Sequence, residues 1–196
     1  MLDIHLILRK TDKMGSHLSF KHTERNSGAA SLFDLAHEHA KSIAILIDHK
    51  LFGSAYALLR PCIEAYIRGS WLLYCATDDE VTRFTSRDAK WPSLKQQMSE
   101  LSKHHLVPKG FDRYLGKTMG MLDALTHGLS TQMKWRFNES RIEFVMTEEN
   151  ICELVREISF ISIMAHLGIA EIAKNENVEK ELEVIFSELN TFNMNI

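Results

Sequence analysis

The chain is poor in the residues that turn, break or cross-link a backbone. Its 196 residues include 3 prolines, 9 glycines and 3 cysteines. A β-rich chain of that length turns often and draws on Gly and Pro to do so, and their scarcity speaks against one. Cys62, Cys75 and Cys152 lie far apart and form no CxxC pair, which excludes zinc-ribbon and thioredoxin-type motifs. An odd cysteine count behind a start with no secretory signal fits a reducing, cytoplasmic compartment. No apolar run is long enough for a membrane: the charge-free stretch SFISIMAHLGIA has 12 residues, against about 20 for a span. Positive charge is not in excess either. Lys and Arg number 23 against 26 Asp and Glu, a net charge of −3, which excludes a generally basic nucleic-acid binder. GxGxxG, Walker A, GxSxG, EF-hand and HExxH patterns are all missing. Dinucleotide, P-loop and standard serine-hydrolase chemistries go with them.

What is present is an ordinary globular composition, 45% apolar and 25% charged, and helical periodicity almost throughout. The expectation is one all-α domain over residues 1–196, a bundle of about six or seven helices. A short helix is expected within residues 1 to 20. A second runs over 29–49 with its cap at Asn26 or Ser27 and an inner face of Leu32, Leu35, Ala36, Ile43 and Leu46. A third covers 52–75, bent by Pro61. Thr77 caps a short acidic helix, Pro92 opens another, and a helix over 111–127 ends at Gly128. Residues 129 to 147 are left as strand or short helix. A capped apolar helix over 148–173 and an acidic amphipathic helix close the chain. The 52–75 and 148–173 helices are expected at the centre.

The chemistry gathers on ALLRPCIEAYIRGSWLLY, residues 57 to 74. Positions four apart lie above one another on a helix, so Tyr56, Arg60, Glu64 and Arg68 form one polar stripe on an otherwise apolar segment. An unpaired charge in such a helix costs several kcal/mol. The stripe therefore needs a cleft or partners. Glu64 can bridge both arginines. Asp123 and His127, at i and i+4 with Thr126 beside them, are candidate partners, and His39 is expected to point inward from the second helix. His37 and His39 project about 200° apart and cannot grip one ion from a regular helix. No metal and no cofactor are expected. The segment MKWRFNESR sets Lys134, Arg136 and Arg141 around Trp135 and Phe137, a pattern that can hold single strands but more often marks a loop packed by its Trp.

The stretch SAYALLRPCIEAYIRGSWLLYCATDDE and the later LDALTHG resemble a family of uncharacterised bacterial helical proteins. Tyr56, Arg60, Pro61, Glu64, Tyr66, Arg68, Gly69 and Trp71 match its RPxxExYxRGxW pattern. Thr126 and His127 match its THxG, with Gly128 one place early. That family is in turn loosely similar to HEPN bundles, many of them dimeric ribonuclease toxins of defence and toxin–antitoxin systems. Active HEPN nucleases carry Arg, four to six residues, then His. Here Gly120, Met121 and Leu122 occupy those places before His127.

Three readings follow. In a binding module, Tyr56, Glu64, Thr126 and His39 line a pocket for RNA or a small anion. In a metal-independent ribonuclease, His127 is the base, Asp123 orients it, and Arg60 and Arg68 hold the phosphate. In a structural protein, the stripe only fixes the packing of a helical homodimer.

Overall fold

A computed structural model of the chain describes residues 3–85, 90–104, 119–120, 122–123, 125, 133–138, 140–142 and 146–193. The fold is all-α. Among the described residues seven helices follow one another: α1 (Ile4–Gly15), α2 (Glu24–Asp48), α3 (Phe52–Tyr74), α4 (Asp78–Thr85), α5 (Leu94–Lys103), α6 (Glu148–Ile172) and α7 (Glu176–Asn193). Between α5 and α6 a two-residue antiparallel pair joins β1 (Phe137–Asn138) to β2 (Arg141–Ile142), with Phe137 opposite Ile142. Most of the expected 111–127 helix lies outside the described residues. Met119, Gly120, Leu122, Asp123 and Leu125 within it are helical.

Local chemistry sets the helix starts. Thr147 accepts from the Asn150 N–H while the Asn150 side chain accepts from the Thr147 backbone, a complete capping box for α6. Ser93 caps α5, so Pro92 sits one place before the cap rather than in the first turn, and its carbonyl accepts from the Gln97 amide. The cap of α2 is Thr23, not Asn26 or Ser27. Thr23 accepts the Asn26 N–H, and the Asn26 side chain turns back to the Lys21 carbonyl. Helix α3 continues through Pro61.

Helix α2 is the hub, packed most extensively on α3 and next on α6. Its inner face is Ala29, Phe33, Ala36, Ala40, Ile43 and Ala44, all 1% exposed or less. The many alanines let neighbouring backbones approach. Phe33 supplies the bulk and fits between two glycines: a Cβ on Gly69 of α3 or Gly168 of α6 would come within 2.9 or 2.4 Å of its ring. Of the expected face, Ala36 and Ile43 are buried and Leu32 and Leu46 pack on the core, whereas Leu35 is 39% exposed. Among the described residues no helix is long and apolar enough to cross a membrane.

Candidate functional site

The stripe on α3 forms as the four-residue spacing requires. Arg60 Nε donates to Glu64 Oε1 and Arg68 Nη2 donates to Glu64 Oε2, both at 2.8 Å. Arg60 Nη1 also pairs with Asp123 Oδ1. Two guanidiniums thus share two carboxylates, and the network is neutral as a whole. It is neither fully buried nor free in water: the side chains of Glu64, Arg60, Arg68 and Asp123 are 17, 23, 36 and 50% exposed.

The two ends of the stripe differ. At the Tyr56 end the phenol is engaged and Arg60 Nη1 has the Asp123 carboxylate as its ion-pair partner. The Tyr56 hydroxyl donates to the Asn150 carbonyl at 3.0 Å, and its ring meets Trp135 edge-on at 5.3 Å. Burial, with Glu153 and Glu157 nearby, pushes the phenol up to about 12. At the other end the Arg68 guanidinium lies 5.9 Å over the Trp91 ring. Trp91 stacks on Phe84 at 4.5 Å, and both rings meet the buried Trp71, whose Nε1 donates to Glu100. Arg68 Nε is buried and has no hydrogen-bond partner among the described residues. A buried donor left unmade costs about 1–3 kcal/mol and calls for an explanation.

Of the expected site residues, Arg60, Glu64, Arg68 and Asp123 come together, while Tyr56 bonds the Asn150 carbonyl instead. Thr126 and His127 lie outside the described residues. His39 does not point into the core: it is only partly buried, while its neighbour His37 is 1% exposed. The reason is the position of the inner face. At 100° per residue, His37 stands about 60° from Ala40 and His39 about 100° away on the other side. Only the His37 side is covered by α1 and α6.

His37 belongs to a second polar system between α1, α2 and α6. Its Nδ1 lies 2.8 Å from Ser162 Oγ and its Nε2 lies 3.3 Å from Asp12 Oδ1, which also takes Lys41 Nζ at 3.0 Å. Ser162 Oγ is 3.2 Å from Thr11 Oγ1. Thr11 Oγ1 donates back to the Leu8 and Ile7 carbonyls of its own helix, and with Ser162 donating to His37 Nδ1 the His37 Nε2–H faces Asp12. His166 donates through Nδ1 to the Ser162 carbonyl, and its ring meets that of His37 edge-on at 4.3 Å. Burial first, then His166 and Lys41, drive His37 down to about 3 despite Asp12. Burial lowers His166 too. Both rings are neutral at pH 7.

The Asp12–His37–Ser162 order is that of an acyl-transfer triad. Ser162 is fully buried, however, so a substrate carbonyl has no approach. Its signal in the sequence was the polar set Ser159, Ser162 and His166 inside an apolar helix. Glu157, on α6, has a carboxyl raised by burial to about 7. Among the described residues no group of three or more His, Cys, Asp or Glu side chains is placed to hold a metal ion.

Arg60, Glu64 and Arg68 of α3, with Asp123, therefore build a half-buried ion network on the bundle. No curated protein and no solved structure matches the chain. A family model does, from Phe33 within α2 to Phe192 at the end of α7. On that match over residues 33–192, the chain belongs to a family of unknown function, DUF6988.

Proposed function

We propose that the chain is a binding module for a phosphate-bearing ligand, held at the Arg68 end of the α3 stripe. One observation carries this reading: among the described residues Arg68 Nε is buried without an acceptor, and one carboxylate oxygen, from Glu64, partners its guanidinium. Arg60, by contrast, is engaged by both Glu64 and Asp123. An anion arriving at Arg68 would satisfy the missing hydrogen bond and add a charge-assisted contact, which guanidinium makes well with phosphate. The Trp91 ring behind it holds the guanidinium plane.

Asp123 engages Arg60, and this favours binding over catalysis. A carboxylate shared with a guanidinium is a weaker orienting group for a histidine base than one left to that task. The phosphate can belong to a free nucleotide or to RNA. From the HEPN resemblance the reading takes over a cytoplasmic, dimeric protein of bacterial defence or toxin–antitoxin systems, and light scattering tests the dimer.

The test is a thermal-shift series with inorganic phosphate, mononucleotides and a single-stranded RNA oligomer. A ligand that binds only the native state raises the midpoint with its concentration. Arg68→Met should abolish the response, and Asp123→Asn should leave most of it. Cleavage of the RNA would move the assignment to a ribonuclease. No shift with any of the anions would leave the structural reading of the stripe.

A further inference from the structure

Helix α1 lies on α6, with α2 and α7 at its flanks. It lies outside the residues that the family model matches. Its apolar hold is thin. Of its 12 residues, Ile4, Ile7, Leu8 and Thr11 are buried. Met14 packs beside them. The polar contacts are the His5–Asp48 pair near the helix start and, toward its end, two imidazoles. Both rings face the same way. The Nδ1 edge of each is tied to Ser162, through Oγ for His37 and through the carbonyl for His166. The Nε2 edge of each faces α1. Asp12 meets the Nε2 of His37. Gly15 lies so close to His166 that a Cβ there would be 2.7 Å from its Nε2. Helix α1 is therefore seated on two histidine edges.

We propose that α1 is a strap held shut by two neutral histidines, which opens as they take up protons and uncovers the His37–Ser162–His166 face of α2 and α6. A proton on His166 would set an N–H against the Gly15 backbone. One on His37 would reverse the Ser162 bond, because Nδ1 would change from acceptor to donor and meet a hydroxyl that already donates to it. It would also bring two cations edge to edge at 4.3 Å between ring centres. The charged and titratable groups around the pair are Asp12 from α1, Lys41 and Asp34 from α2, and the second histidine on α6. Asp12 would favour the charged form of both rings, and Asp34 and the Ser162 carbonyl that of His166, against their burial. Asp12 is already engaged by Lys41. With α1 lifted, both rings meet water and titrate near their ordinary value. The sign follows: a base whose pKa is depressed when covered keeps the strap shut above that ordinary value, about 6.5, and loosens it as pH falls below it.

Hydrogen exchange of the intact chain reads the strap directly. Between about pH 7.5 and about pH 5.5, protection of the α1 amides, corrected for intrinsic exchange, should fall by about tenfold for each histidine that titrates only when uncovered. Protection in α3 should hold. His37→Gln combined with His166→Gln should leave α1 protection flat with pH. Titration of the wild-type imidazoles by NMR covers the case in which that variant does not fold. Two outcomes would overturn the proposal: α1 and α3 losing protection together, or either histidine taking its proton above about pH 6 while α1 stays protected.

Discussion

Replacing Glu64 tests the α3 network most directly. Its carboxylate takes one hydrogen bond from Arg60 and one from Arg68, both at 2.8 Å, and the side chain is 17% exposed. Two limits bracket the cost. A solvent-exposed i,i+4 pair contributes about 0.3–0.5 kcal/mol, and breaking a buried pair costs about 3–5 kcal/mol. The Glu64→Ala change does not strand both arginines equally. Among the described residues Arg60 keeps Asp123, while Arg68, its side chain 36% exposed, keeps the Trp91 ring. The loss is then close to one charge-assisted hydrogen bond plus a partial one, about 2–3 kcal/mol. For a chain of this size each kcal/mol shifts the melting midpoint by about 2–4 °C, so a drop of about 4–12 °C is expected. Melting followed by circular dichroism measures it. A double-mutant cycle with Arg68→Ala then shows whether the loss runs through that arginine, with a coupling of about 1 kcal/mol or more. A Glu64→Ala chain that melts within about 1 °C of wild type would mean that water already screens the stripe, and the network argument would fail.

Phe33→Ala should cost about 3–5 kcal/mol, because it empties the space between Gly69 and Gly168. Gly168→Ala should cost about 1–3 kcal/mol from the opposite fault, a Cβ 2.4 Å from the Phe33 ring, and urea melts of the two variants should both show lower midpoints. Thr147→Ala removes the side-chain half of the α6 capping box and should lower stability by about 1 kcal/mol in the same assay. Glu157 holds its proton up to about pH 7 in the fold, so its stabilising contribution is full below about pH 4.5 and is lost as pH rises through about 7. Glu157→Gln should match wild type near pH 4 and exceed it by about 1–3 kcal/mol near pH 8, and parallel stability curves across that range would refute the burial of this carboxyl.

Helix content was readable because nearly every segment repeats its apolar residues at helical spacing, and α6 shows how far that goes. Its cap at Thr147, its apolar body and its end near Ile172 are all local properties. The hub was harder to see. Helix α2 buries alanines and one phenylalanine, while Leu35 on another side is exposed. A reading that weights large side chains places the inner face at the leucines. The bundle places it where small residues let α3 and α6 come close. That choice depends on Gly69 and Gly168, which meet Phe33 from distant parts of the chain. No window of local sequence contains all three.

The same displacement of the inner face decides the histidines. A rotation of less than a quarter turn moves His39 outward and His37 inward, and the polar partners change with it. The α3 stripe was insensitive to such an error. Its members lie four apart on one helix, so Arg60, Glu64 and Arg68 meet whichever way the helix is turned. The His37 system has no such protection. Asp12, His37 and Ser162 come from three helices, and their contacts exist only once α1, α2 and α6 have docked. Motif spacing therefore found the Arg60–Glu64–Arg68 run, which is built within one helix, and missed the His37 system, which is built between three. The two also answer to different perturbations. The stripe is held by opposite charges. The histidine system is held by the absence of charge, so protons alone can oppose it, and they act where α1 meets the rest of the bundle.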